Sequence, residues 1–337
     1  MTKYDIIGDI HGHAGKLKVL LGRLGYQPDG DGVYRHPDRT AVFVGDLVDR
    51  GPEQLEVLQI VKAMVDHGGA HIVMGNHEFN AICYATPHPN KPGDFLRTHQ
   101  DEGQKNEKGH IEFLKQLPDQ KQRDRYLEWF KTIPLWLELP GENGSRIRVV
   151  HACWNAAAME VVKKETGGCR LTDLQHYVDA SDEDHDLYKA IEILLKGPEI
   201  DLAKYGQPPY VDHTGKKRTM ARARWWNAGA RTLREIADVR DMRTVDGESY
   251  PTLPDIAVDE KDLGYVYRDH IPVVYGHYWF DWDSHQEEWT DYTACVDFGV
   301  PKDGGKLVAY RWDGEPTITW RNYEPHTRDV VAETPSA

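Results

Sequence analysis

Five apolar runs in this chain each stop at a polar loop carrying a side chain able to bind metal, and this repetition restricts the fold more than any other feature. Residues 4–7 precede Asp9 and His11, 40–44 precede Asp46, 70–74 precede Asn76, 147–150 precede His151, and 271–275 precede His277. Runs this short, bounded by glycine, read as buried strands. After the first two, apolar residues recur at helical spacing: Leu17, Leu20, Leu21 and Leu24, then Leu55, Leu58, Val61, Met64 and Val65. Pro52 suits the first turn of the second helix. Residues 79–84 have helical character after the third run. Strand, loop and helix three times over predict a largely parallel sheet with right-handed crossovers. In such a sheet, ligands bind at the carboxyl ends of the strands.

The remaining chain predicts additions to that core. Residues 85–134 read as a helical insertion, and 155–262 as a second one, helical over 154–195 and basic and helical over 218–234. Between them, 135–139 and 147–150 flank Gly141-Glu142-Asn143-Gly144, a hairpin signal. Strands are expected at 292–298, 306–312 and 317–321, joined by turns at Gly304-Gly305 and Asp313-Gly314. We expect one domain over residues 1–325 and a polar tail over 326–337. A chain of 337 residues can bury such a core.

Composition narrows the partners. A formal net charge of −14 disfavours a stable nucleic-acid complex. It leaves room for a local cationic pocket, for which Lys216, Lys217, Arg218, Arg222 and Arg224 are the candidates. No stretch is apolar enough for a signal-peptide core or a membrane span. The four cysteines are scattered without a CxxC pair, which argues against a cysteine zinc site or a disulfide framework and fits a cytoplasmic protein. Of the 17 histidines, only His11, His77, His151 and His277 stand in strand-end loops. The others, His110 among them, are read as surface or packing residues.

Each loop alone has an ordinary explanation. Asp9 and His11 could be loop polar groups, Asn76 a turn former, and His151 and His277 core histidines satisfied by backbone. Five matched strand ends in one chain favour a shared metal site. Carboxylate, imidazole and amide oxygen suit manganese, iron or zinc. Asp9, His11, Asp46, Asn76, His151 and His277 exceed the needs of one catalytic ion, so two divalent ions sharing Asp46 are expected. Two ions about 3.5–4 Å apart clamp the attacking and leaving oxygens of an in-line displacement, and metal binding lowers the pKa of water towards about 7. In the loop Gly45 to Pro52, Asp49 could orient a neighbour and Arg50 could grip a phosphate bidentately.

The motifs GDIHG at 8–12, GDLVDRGP at 45–52, GNHE at 75–78, VVHA at 149–152 and YGHY at 275–278 resemble the calcineurin-like metallophosphoesterases. Intact VDRG and Trp279 after Gly276-His277 make the chain similar to the branch of phosphoprotein phosphatases and bacterial symmetrical dinucleoside tetraphosphatases. The resemblance implies an α/β fold, a metallophosphoesterase β-sandwich of two mixed sheets flanked by helices. It implies that Asp9, His11 and Asp46 hold one ion, and Asp46, Asn76, His151 and His277 the other. His77 is then the general acid, Asp49 its partner and Arg50 the phosphate grip, with Glu78 structural. MARARWW at 220–226 resembles a basic-aromatic segment of the tetraphosphatases, making Arg222 or Arg224 a candidate grip on a second phosphate. The run 278–282 is read as packing ahead of a stacking platform.

The expected activity is two-metal phosphomonoester hydrolysis by direct attack of metal-bound hydroxide, on phosphoproteins or small phosphoesters. Dinucleoside tetraphosphate hydrolysis is the alternative, followed by a phosphodiesterase or nuclease. A silent metal-dependent binding module is the non-enzymatic rival. Manganese is expected first, with iron, zinc or nickel behind it.

Overall fold

Tyr4–Ile7, the first apolar run, is buried along its whole length and lies between two different neighbours. On one side it pairs in parallel with Thr40–Phe43, which pairs in parallel with Ala70–Ile72. On the other it pairs antiparallel with Lys306–Trp312. Runs covered on both faces need no polar alternation, which explains their continuous apolar character. The one charged residue in the first, Asp5, is buried against Arg39 at 2.8 Å and Arg311 at 3.1 Å. The computed structural model describes residues 3–101, 104–211, 217–240, 242–259, 265–283 and 289–325. The expected tail 326–337 and Lys216 lie outside these residues.

A second sheet runs Thr293–Cys295, Val273–Tyr275, Arg146–Val150 and Trp136–Pro140. Its first two pairings are parallel, and the last is the hairpin expected around Gly141-Glu142-Asn143-Gly144. Both sheets are therefore mixed, and a single apolar core runs through them and the flanking helices. The run expected as one strand over 292–298 divides between the sheets. Thr293–Cys295 pairs in the second, and Asp297–Phe298 pairs with Lys306–Trp312 in the first. The expected strand at 317–321 is absent. A turn of 3-10 helix at Trp320–Asn322 precedes the strand Tyr323–Pro325, which completes the edge against Lys306–Trp312.

The first insertion is helical, with Lys105–Gln116 and Gln120–Phe130 packed on the helices Gln54–Asp66 and Asn76–Ala85. The second is helical only in its first part, at Ala156–Thr166, Leu174–Asp179 and Asp186–Lys196. Beyond these it forms two small three-stranded sheets around a separate apolar cluster that includes Ile200, Leu202, Leu233, Ile236 and Leu253. The helix expected over 218–234 is corrected to the strands Lys217–Arg218 and Met220–Ala223 and a short helix at Leu233–Ile236. The physical reason is a period of two: Ala221 and Ala223 are buried while Arg222 between them is half-buried. Among the described residues, no helix is long and apolar enough to cross a membrane.

Candidate metal centre

The sheets meet where their strand-end loops converge, and glycines permit the approach. A Cβ on Gly276 would stand 2.1 Å from Asp9 Oδ1, and one on Gly45, whose φ is +97°, 2.4 Å from the Gly75 nitrogen. Eight non-glycine residues have positive φ among the described ones. Six of them, His11, Asp46, Asp49, Arg50, His277 and Trp279, sit in these loops. Strain of this kind persists only where surrounding contacts enforce it, and its concentration here marks a functional site.

Backbone hydrogen bonds lock the loops together. Asp46 O accepts from the amides of Ile10 and His11, and His77 N donates to Asp46 Oδ1 at 3.0 Å. Glu78 is fully buried and takes three amides: Asp46 N at 2.8 Å and Gly75 N at 3.1 Å on Oε2, and Leu47 N at 2.8 Å on Oε1. It clamps the Asp46 loop from behind.

Asp46 stands between two histidines. Its Oδ2 is 3.6 Å from His11 Nε2, and its Oδ1 is 3.5 Å from His151 Nε2. His11 and His151 donate their Nδ1 protons to Val48 O at 2.9 Å and Val44 O at 2.8 Å, leaving both Nε2 lone pairs aimed at the centre. Two groups of potential ligand atoms each lie within 4.8 Å: His11, Asp46 and His77, and Asp46, His151 and His277. Asn76 Oδ1 is 3.0 Å from His151 Nε2, and Asp9 Oδ2 accepts from His277 N at 3.2 Å. Of the six residues expected as ligands, His11, Asp46, His151 and His277 fall in these two groups, Asp9 and Asn76 lie beside them, and His77 joins His11 and Asp46 where Asp9 was expected.

The donor set fits metal ions. Asp9 Oδ1, His11 Nε2 and His277 Nε2 are buried without a hydrogen-bond partner among the described residues, an arrangement that is costly unless a cation takes the lone pairs. Burial lowers the pKa of His11 to about 3 and that of His277 well below the usual value, keeping both neutral. Burial pushes the Asp9 carboxyl well up, and Asp297 and Asp46 add to the shift. Asp46 opposes its own burial through His151, His77 and His11 and stays ionised, at about 2.

Beside this cluster, His77 Nδ1 is 2.5 Å from Asp49 Oδ2. Burial works against a proton on His77, but Asp46 and Asp49 outweigh it and hold its pKa above the usual value. Arg50 is exposed at the rim, its guanidinium 4.3 Å from the centre of the Trp279 ring. Arg222 reaches the centre's edge, donating from Nη1 to His277 O at 3.3 Å. Arg224 does not join it; its Nη2 lies 3.9 Å from Asp238 in the second insertion. In the run 278–282, Tyr278 and Phe280 are buried, and Trp279 stands half-buried at the rim.

Two residues at the site escaped sequence reading. Asp297 is buried, accepts from Trp279 N at 3.2 Å and Gly299 N at 3.0 Å, and has its pKa pushed up to about 6 by burial. It opens the strand Asp297–Phe298, just past the crossing between the sheets, a signal visible only once that crossing is known. His110, read as a surface or packing residue, is 2% exposed and lies 2.8 Å from Asp49 Oδ2.

A profile described as calcineurin-like phosphoesterase matches residues 2–312. The chain is 50% identical over 76 residues to the bis(5'-nucleosyl)-tetraphosphatase PrpE, asymmetrical, of Halalkalibacterium halodurans, covering 22% of this chain and 30% of that protein. It is 34% identical over 154 residues to the protein of the same name from a Geobacillus species, covering 44% and 57%. The chain thus spans only 30% to 57% of the length of these curated relatives. A solved chain described as a candidate diadenosine tetraphosphatase aligns at 18% identity and a TM-score of 0.42, covering 96% of this chain and 93% of that one. The profile match over nearly the whole chain makes it a member of the calcineurin-like phosphoesterases, a hydrolase family that works with divalent metal ions.

Proposed function

We propose that the chain is a two-metal phosphohydrolase acting on dinucleoside polyphosphates, with residues 1–325 forming one catalytic domain. The observation that carries the phosphohydrolase reading is Asp46, with one carboxylate oxygen towards His11 and the other towards His151. Asp9, His11 and Asp46 would hold one ion, and Asp46, Asn76, His151 and His277 the other, with manganese the first candidate. Such ions supply Lewis-acid charge and a nucleophilic oxygen at neutral pH.

The protein's own groups do the rest. With Nδ1 engaged by Asp49, His77 keeps Nε2 for giving a proton to the leaving oxygen. A positioned acid of this kind is worth about 10²–10⁴-fold. Arg50 pairs with the phosphoryl oxygens at the rim, where a guanidinium makes two parallel hydrogen bonds. Arg222, beside His277, is the candidate grip on a further phosphate.

The substrate order departs from the sequence expectation. Similarity to proteins named bis(5'-nucleosyl)-tetraphosphatase supports putting tetraphosphatase activity ahead of phosphomonoester hydrolysis. The monoester reading stands second, because His77 and Arg50 ask for only one phosphoryl group. Free cysteines at Cys83, Cys153, Cys169 and Cys295 support a reducing, cytoplasmic setting.

The test is a panel of diadenosine tetraphosphate, phosphopeptides and bis(p-nitrophenyl) phosphate, with manganese and chromatography of products. Cleavage of the dinucleotide to a nucleoside triphosphate and a monophosphate is expected, as for asymmetrical tetraphosphatases such as the relatives. Two diphosphates would move the cut to the symmetrical position. Hydrolysis confined to phosphopeptides would return the monoester to first place, and a metal-loaded protein inert on every member would leave the silent binding module.

A further inference from the structure

The first insertion reaches the catalytic loop at two points. The helix Lys105–Gln116 turns its inner face towards the Gly45 to Pro52 loop, and on that face His110 and Phe113 are each 2% exposed. His110 Nδ1 lies 2.8 Å from Asp49 Oδ2, the same oxygen that His77 Nδ1 meets at 2.5 Å. The approach is close in distance but oblique, so neither His110 nitrogen makes a well-aligned hydrogen bond among the described residues. Asp49 Oδ1 is also buried without a hydrogen-bond partner among the described residues.

At the end of the same helix, Gln116 Oε1 accepts from Gln54 N at 2.7 Å. Gln54 in turn accepts from Asp49 N at 2.7 Å and donates to Gly51 O at 2.7 Å. The inserted helix therefore touches the Asp49 carboxylate directly and its backbone through one intermediary. Asp49 and Arg50 both have positive φ, so this is a strained turn that needs external support.

A buried imidazole is an expensive choice for packing alone. Leucine or phenylalanine would fill the position against Tyr84, whose ring centre is 5.3 Å away, without an unmet polar atom. What histidine adds is a nitrogen beside Asp49. The geometry points to His110 as a positioning residue: it steadies the Asp49 carboxylate and, through it, the orientation of His77. This rests on the reading of His77 as general acid. It also gives the insertion a part in turnover as well as in covering the sheet. The device is available only to a chain with this helix in this place.

Steady-state kinetics of the metal-loaded full-length protein test the assignment, using the substrate selected by the panel above. His110→Phe keeps the volume and loses the donor, while His110→Asn keeps an N–H near the Nδ1 position. We expect His110→Phe to lower kcat roughly tenfold with KM and metal content unchanged, part of the full acid contribution. His110→Asn should restore most of the loss. In an Asp49→Asn background the His110→Phe effect should vanish, because the two act in series. Equal behaviour of the Phe and Asn variants, or additive losses in the double variant, overturns the proposal. If His77→Asn leaves kcat intact, the underlying acid assignment fails instead, and the two failures are distinct.

A measurement on the unaltered protein guards against variants that do not fold. Long-range proton–nitrogen spectra should show the imidazoles of both His77 and His110 carrying a proton on Nδ1, the nitrogen that faces Asp49. A His110 ring without a proton on Nδ1 overturns the role given to it.

Discussion

The proposed reading gives Asp46 and His77, neighbours in the centre, separable duties, and single substitutions should divide them. Asp46→Asn removes the carboxylate between His11 and His151, so metal content and turnover are both expected to collapse, measured by elemental analysis beside kcat. His77→Asn should retain most of the metal and lose about 10²–10⁴-fold in kcat. Full turnover in either variant would contradict the assignment. Glu78 makes a different case, since it touches no ion in this reading and yet holds three amides of the two ligand loops. Glu78→Gln turns an amide group towards backbone donors and should cost about 1–3 kcal/mol in chemical denaturation. Metal titration should show about 10–100-fold weaker binding in the same variant. These residues were readable in the sequence because each stands at a fixed offset from an apolar run and a glycine. His110 was not readable, because its partner Asp49 belongs to another element and nothing around His110 distinguishes it from a packing histidine.

The loops depend on how closely the strands bearing them approach. Gly276→Ala places a methyl group 2.1 Å from Asp9 Oδ1 and 2.9 Å from Val44, so Asp9 must shift. The expected result is an intact circular dichroism spectrum with at least tenfold weaker metal binding; unchanged affinity would mean the sheets yield more easily than their packing implies. In the second insertion, Asp238 ends a short strand and is paired with Arg240 at 2.5 Å. Burial raises its pKa, but the Arg240 hydrogen bonds and charge and the Arg224 charge outweigh burial, and the folded value lies below the usual one. A depressed carboxyl stabilises the fold above its unfolded pKa, and that contribution is lost as pH falls through the folded pKa. The stability advantage of the parent over Asp238→Asn should therefore shrink on acidification, as read from denaturation midpoints across the acid range. The strands of this insertion escaped sequence reading because Met220-Ala221-Arg222-Ala223 has small rather than branched inward residues. Its arginines and alanines favour helix in isolation, and packing of the insertion's own core decides otherwise.

Asp9, Asp46, Glu78 and Asp297 are all buried at one junction of the two sheets, and metal removal should be felt throughout the molecule. Treatment with chelator is expected to lower the thermal midpoint and manganese to restore it. The gain should be about 2.7 kcal/mol for each site held at a hundredfold excess over its Kd. A midpoint indifferent to chelator would contradict a metal-dependent junction. The broad plan, parallel units with ligands at the strand ends, followed from periodicity and glycine placement. The partition of residues 293–298 between the sheets did not, since one apolar run serves two sets of partners and periodicity carries no record of pairing.

The first strand lies between Thr40–Phe43 and Lys306–Trp312, and it sets Asp9 and His11 beside a histidine contributed from residue 277. Translation delivers these parts in a fixed order. A chain still on the ribosome exposes Asp9, His11, Asp46, Asn76 and His151 long before His277 or the strand that flanks the first one exists. Pairing so distant in sequence closes late and slowly. On the two-ion reading proposed above, capture of both ions would wait for the last strands, and hydrolytic power would be withheld from every unfinished copy.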